Sequence, residues 1–257
     1  MKLGFIGIGK IASAVIEGLC TSTLNDITIY LSPRNQQKAS ELDSKFTNTV
    51  KAVSNQQVLD LSEIVFIALR PADAVEELKK LQFRPQHIVV SFIPYLTYPE
   101  IKEVTKSVQH ISRAIPLPTV VHHNCPIPVF NPNQTVLQIL GAIGQPLEVG
   151  TEKELHSIWT LTGLITPYYD LMGTLSQWTQ KNGVEEKVAN KYMADLFQSL
   201  SYAAQHSKEI NFGELANHAA TPNGMNEQAG KEIHAHGGHE IYKTASDNLL
   251  AKFLKNF

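Results

Sequence analysis

Leu3-Gly4-Phe5-Ile6-Gly7-Ile8-Gly9-Lys10-Ile11-Ala12 decides the fold of this chain. Leu3 to Ile6 is a short apolar run of the kind that forms a buried strand, and Ile11, Ala14, Val15, Gly18 and Leu19 follow at helical spacing. Between them Gly7, Gly9 and Ala12 stand at Gly-x-Gly-x-x-Ala spacing. The first glycine permits a tight strand-to-helix turn, the second lets backbone N–H groups approach a pyrophosphate, and the small Ala12 lets the helix lie close to the strand. Ile8, Lys10 and Ile11 complete a turn whose helix N-terminus faces an anion. The expectation is a dinucleotide site.

Met1-Lys2 followed by apolar residues also has the outline of a secretory signal, but Lys10 interrupts the stretch too early and the glycines are too many. No later run approaches the ~20 apolar residues of a membrane span. The expectation is a cytoplasmic protein with no membrane partner. The 257 residues are 43% hydrophobic and 18% charged with a formal net charge of −2, and no Lys/Arg cluster offers a footprint for nucleic acid. Cys20 and Cys125 are far apart and lack metal-ligand neighbours at zinc spacing, so two reduced thiols are expected. His234, His236 and His239, with His218 upstream, do not share one helix face and Gly237-Gly238 interrupts them, so no metal site is expected.

To about Gly150 short β-rich runs alternate with helical patterns. The runs are 27–31, 64–69, 87–92 and 110–115, with 128–130 and 146–149 extending the series, and the helical patterns include 35–44, 72–81 and 136–142. This alternation predicts a parallel, doubly wound sheet of the Rossmann type over residues 1–150. From Thr151 the texture changes to Leu, Ala, Gln and Lys. Three- and four-residue apolar spacing predicts long helices over 152–180 and 185–208, broken at Gly183, with further helices to the end. Residues 151–257 thus read as an all-helical domain whose apolar faces suit dimerisation; Tyr168 and Tyr169 read as core residues.

Many dinucleotide folds end their second strand in an acid that takes the adenosine ribose hydroxyls. Here the strand ends Leu31-Ser32-Pro33-Arg34-Asn35, with no acid. A carboxylate repels a 2′-phosphate, whereas Ser32 and Arg34 can bind it. A hydrogen bond to a charged group contributes roughly 1.5 to 3 kcal/mol, which favours NADP over NAD by about ten- to a hundredfold.

The opening GFIGIGKIASAVIEGL, Ser54-Asn55, Ala68-Leu69-Arg70-Pro71, Ile88-Val89-Val90-Ser91 and Arg113-Ala114-Ile115-Pro116 resemble, in order and spacing, the Δ1-pyrroline-5-carboxylate reductases. That family makes proline with NAD(P)H. The helical second half fits as well, so the likeness covers nearly the whole chain. It implies that Asn55 joins Ser32 and Arg34 at the ribose phosphate. It also implies that Ala68, Leu69, Arg70 and Pro71, with Ser91 and Phe92, line the nicotinamide side, and that the helical domains form a homodimer that completes each site.

The departures fall on the substrate side. Where the family has Met-Pro-Asn-Thr-Pro this chain has Ile115-Pro116-Leu117-Pro118-Thr119. Its Ser-Gly-Ser-Gly-Pro helix opening becomes Thr162-Gly163-Leu164-Ile165-Thr166-Pro167. Its Ser-Pro-Gly-Gly-Thr-Thr loop, which holds the substrate carboxylate on backbone amides, becomes Thr221-Pro222-Asn223-Gly224-Met225-Asn226. Pro222 and Gly224 keep the frame of an anion-binding helix start. Thr162, Pro222, Asn223, Gly224 and Met225 are the expected substrate contacts, and Thr166, Thr221 and Asn226 the expected neighbours of an imine. Losing a substrate hydrogen bond costs about 10⁴ in discrimination, while added methylenes cost about 10- to 200-fold. The sequence therefore reads as an NADP-dependent imine reductase whose cyclic imine differs from pyrroline-5-carboxylate. The alternative is a non-catalytic NADP-binding regulator that has lost the substrate site. Reduction of a β-hydroxy acid would call for a placed lysine, and Lys181, Lys187 and Lys191 lie toward helix ends or polar faces.

Overall fold

The computed structural model describes residues 1–254. Its first compact unit runs from Met1 to Trp159 and takes in Phe253; the second runs from Thr160 to Lys252. The division falls after Trp159 rather than at Gly150, because the helix beginning at Glu152 packs Leu155 and Trp159 against Ile115 and Phe253.

In chain order the first unit contains β1 (Lys2–Ile6), α1 (Lys10–Cys20), β2 (Thr28–Leu31), α2 (Gln36–Lys45), β3 (Thr49–Lys51), α3 (Asn55–Leu61) and β4 (Ile64–Ile67). It continues with α4 (Pro71–Lys79), β5 (Ile88–Ser91), α5 (Tyr98–Thr105), β6 (His110–Ala114), β7 (Pro126–Phe130), α6 (Gln134–Gly141), β8 (Gln145–Val149) and α7 (Glu152–Thr160). The strands form one sheet in the order β3-β2-β1-β4-β5-β6-β7-β8. Alternate residues of each strand point to opposite faces. Leu3, Phe5, Ile29, Leu31 and Phe66 pack with α1, α2 and α6, whereas Ile6, Val65, Ile67 and Val89 pack with α3, α4 and α5. The sheet is therefore covered on both faces, and its strands read as continuous apolar runs.

One expectation of strand direction is corrected. β6 and β7 are antiparallel, paired at Arg113–Phe130 and Ala114–Val129, while every other neighbouring pair is parallel. A parallel crossover needs a connection of a dozen or more residues, usually a helix. Between β6 and β7 there is only a 3-10 turn at Pro118–His122, closed by His123 in the left-handed region (φ 54°).

The second unit holds α8 (Ile165–Lys181), α9 (Glu186–Gln205), α10 (Phe212–Ala219), α11 (Met225–Ala235) and α12 (Gly238–Leu254) as far as Lys252. The continuous helix expected over 152–180 is broken by a 3-10 turn at Leu161–Leu164. Pro167 has no N–H to return to the carbonyl of Gly163. Gly163 also admits α12 closely, since a Cβ there would stand 2.6 Å from Leu249 Cδ1. Tyr168 and Tyr169, expected in the core, are exposed and meet edge to face. Among the described residues no helix is long and apolar enough to cross a membrane, and no group of three or more His, Cys, Asp or Glu is arranged to hold a metal ion.

Candidate functional site

A crevice of about 520 Å³ opens at the C-terminal edge of β1, β2 and β4, lined by Gly7, Ile8, Gly9, Arg34, Asn35, Gln36, Ala68, Leu69 and Arg70. It lies where the strand order reverses, the position at which doubly wound sheets bind ligands. Gly7 adopts φ +94°, and a Cβ there would come 2.8 Å from the Ala68 carbonyl oxygen. At Gly9 an added Cβ would meet nothing within 4 Å. The turn is thus closed against β4 at Gly7 and open toward the crevice at Gly9.

Gly9 is also the N-cap of α1. No side chain caps this helix, and its first turn carries no acid. By contrast Asn35, Ser54 and Asn133 each cap their helices by accepting a backbone N–H. The first N–H groups of α1 and the positive end of its dipole therefore face the crevice without a partner side chain, which suits a pyrophosphate. Asn35 does a second job. Its Nδ2 donates to the Ile8 carbonyl at 3.1 Å while its Oδ1 accepts from Lys38 N, so the glycine turn is tied to the start of α2. The Asn at the head of that helical pattern is a cap signal, but nothing in the sequence marks its tie to Ile8.

The remaining nucleotide-side candidates divide by depth. Arg34 and Arg70 reach the crevice, and Asp73 accepts from both. Ser32, Ser91 and Phe92 are buried, and none of them lines it. Ser32 Oγ donates to Asn55 Oδ1 at 2.7 Å, so this hydroxyl holds Asn55 at the start of α3 and does not itself reach the crevice. Ser91 Oγ accepts from Ile93 N and shapes the chain leaving β5. Phe92 packs on Phe66, which stacks on Phe5 with ring centroids 4.6 Å apart. Lys10 and Ile11 start α1, and Pro71 starts α4. Cys20, on α1, has its thiol pushed up to about 11 by burial, so it stays protonated and inert at neutral pH.

Arg113 is a fully buried guanidinium at the end of β6. Its Nη2 donates to the carbonyls of Ile93 and Pro94, and its Nη1 reaches Glu152 at 2.5 Å and His156 Nε2 at 2.7 Å. Glu152 also accepts from Tyr98 N, and the guanidinium lies 5.4 Å from the Trp159 ring. One side chain therefore fixes the turn after β5 to β6 and α7. Burial and the Arg113 charge hold the His156 imidazole down at about 4, so it is neutral and accepts the Arg113 N–H.

In the second unit Thr162 lies in the 3-10 turn and Thr166 in the first turn of α8. Thr221, Pro222, Asn223 and Gly224 form the turn before α11, with Gly224 N donating to the Thr221 carbonyl at 2.8 Å. Asn223 adopts φ +58°, and its N–H donates to Glu227 Oε2 at 2.9 Å. The Asn226 amide donates to the Ala219 carbonyl, and Met225 is 88% exposed. The helix start expected to hold an anion is formed, but its Asn223 amide is engaged by the chain's own carboxylate. Lys231, and then the Asn223 N–H, hold that carboxyl below its usual range.

Residues 2–95 match the model of the family described as NADP oxidoreductase coenzyme F420-dependent. Pyrroline-5-carboxylate reductase 3 of Danio rerio is 24% identical over 254 residues, covering 95% of this chain and 84% of that protein. The structure of 1-pyrroline-5-carboxylate reductase from Streptococcus pyogenes superposes with a TM-score of 0.85 at 18% identity, covering 98% of both chains. That of the Plasmodium falciparum pyrroline carboxylate reductase with NADP bound gives 0.84 at 17% identity, covering 100% of this chain and 98% of that one. The fold is the one these reductases have, and the sequence likeness extends over nearly the full chain.

Proposed function

We propose that this chain is an NADP-dependent oxidoreductase resembling pyrroline-5-carboxylate reductase, which transfers hydride from NADPH to the C=N bond of a cyclic imine. The observation that carries the reading is the crevice, with an uncapped helix start at Gly9, two arginines and no acid among its lining residues. The backbone of Gly7 to Lys10 would hold the pyrophosphate. Arg34 would meet the ribose phosphate, with Asn55, held by Ser32, as the second candidate. Arg113, by fixing Ile93 and Pro94, would keep the nicotinamide-side wall rigid. Bound there, the dihydronicotinamide supplies the hydride. A protonated imine is already electrophilic, so the protein's share is alignment and exclusion of water, with Thr166, Thr221 and Asn226 as the candidate neighbours of the imine.

Two features support a substrate other than pyrroline-5-carboxylate. Glu227 already occupies the Asn223 amide that the resemblance assigns to a substrate carboxylate, and Leu164, Ile165 and Met225 stand where the family carries small or hydroxyl residues. The substrate is read as a bulkier imine without a carboxylate. A homodimer through the helical unit is part of the same reading. Trp178, Tyr192, Leu200, Tyr202 and Phe212 are 58–72% exposed, too much apolar surface to suit a solitary unit. The test is NADPH oxidation with a panel of cyclic imines, with and without a carboxylate. Turnover should be fastest with the uncharged members. NADPH binding with no imine consumed would favour the regulatory alternative.

A further inference from the structure

Arg34 projects from the turn after β2, and Arg70 from the turn after β4, on the other side of the β1 glycine turn. Both line the crevice, and both end on one oxygen of Asp73. Arg34 Nη2 lies 2.9 Å from Asp73 Oδ2, and Arg70 Nε and Nη2 each lie 3.2 Å from it. Asp73 sits in the first turn of α4, where the helix dipole favours a negative charge. The crevice lining itself contains two guanidiniums and no acid, so Asp73 is the anion that these arginines hold.

We infer that Asp73 weakens the preference for NADPH over NADH, by competing with the nucleotide 2′-phosphate for Arg34. The inference rests on the nucleotide reading of the crevice. Asp73 takes the Nη2 end of Arg34, so a 2′-phosphate on the same guanidinium would lie near a carboxylate that neutralises part of its charge and repels the phosphate. NADH lacks the phosphate and leaves the Arg34–Asp73 pair intact. Asp73 thus attenuates the preference that the missing acid at the end of β2 creates. Because Arg34 and Asp73 are partly solvated, the competition is moderate and screened by salt.

The test is equilibrium titration of the full-length protein and its Asp73→Asn variant with NADPH and with NADH. The expected result is an NADPH-over-NADH affinity ratio that rises about three- to tenfold in Asp73→Asn, with NADH affinity unchanged within about twofold. The gain should shrink at high salt and vanish in an Arg34→Ala background. A merely structural role for Asp73 would weaken both nucleotides together, which overturns the assignment, as does an unchanged or falling ratio. If the unsubstituted protein binds neither dinucleotide, the reading of the crevice fails, and this inference with it.

Discussion

Ser32 and Asn55 are joined by a 2.7 Å hydrogen bond that ties the end of β2 to the first residue of α3. Ser32 is fully buried, whereas Asn55 is half-buried, so Ser32→Ala takes the donor from the Asn55 side-chain oxygen and leaves that oxygen within reach of water. The net loss of such a hydrogen bond is about 0.5–1.5 kcal/mol. Ser32→Ala should lower unfolding stability by about that amount and weaken NADPH binding several-fold through a displaced Asn55. Denaturant titration and NADPH titration on the same preparation check both effects.

The two glycines of the first turn should respond oppositely to alanine. Gly7→Ala forces a side chain into φ +94° and against the Ala68 carbonyl, a strain on the order of 1–3 kcal/mol that should appear as lost thermal stability. Gly9→Ala meets open space, so the free protein should keep its stability within about 1 kcal/mol. NADPH affinity should nevertheless fall more than tenfold, because the added methyl projects where the pyrophosphate approaches. Equal loss of stability in both variants would count against this geometry.

His156 predicts the acid limb of stability. Burial and the Arg113 charge hold its folded pKa near 4, against 6.5 for the free side chain. Between those values the unfolded chain binds the extra proton, so the contribution is fully present above about pH 6.5 and is lost as pH falls toward 4. That loss is on the order of 2–3 kcal/mol. His87, held down by burial and by Arg84, titrates in the same direction, so His156→Gln should flatten the pH dependence without abolishing it. Urea unfolding at about pH 7 and about pH 4.5 measures the difference.

Trp178 is 65% exposed on α8. If a second copy covers it, the protein sediments as a dimer. Trp178→Glu should then shift it toward monomer and abolish imine turnover while NADPH binding persists in the first unit. A monomeric unsubstituted protein with full activity would refute the dimer.

Much of this fold is legible in the sequence because its signals are local. The run from Leu3 to Ile6 and the two glycines specify strand, turn and helix together, and the apolar runs at 64–67, 88–91 and 110–114 alternate with helical patterns. β3 is not visible, since Thr49-Val50-Lys51 is too short to carry a period. α5 does carry a signal in Thr97-x-x-Glu100, a capping box that the structure forms with both of its bonds. The reversal at β7 depends on the absence of a crossover helix, which apolar runs alone do not report. At the crevice, Gly7, Gly9 and Arg34 can be picked out by residue type and spacing. The burial of Ser32, the Asn35 tie and the Asp73 pair depend on distances between separate turns, and no spacing along the chain encodes those.

Hydride transfer itself is most directly tested with NADPH deuterated at the transferring position of the dihydronicotinamide, incubated with the protein and a panel of cyclic imines, followed by mass spectrometry of the amines. The native protein should give an amine carrying one deuterium at the former C=N carbon, and Gly9→Ala should form it more than tenfold more slowly when NADPH is below saturation. NADPH that binds tightly and passes deuterium to no imine would overturn the proposed hydride transfer.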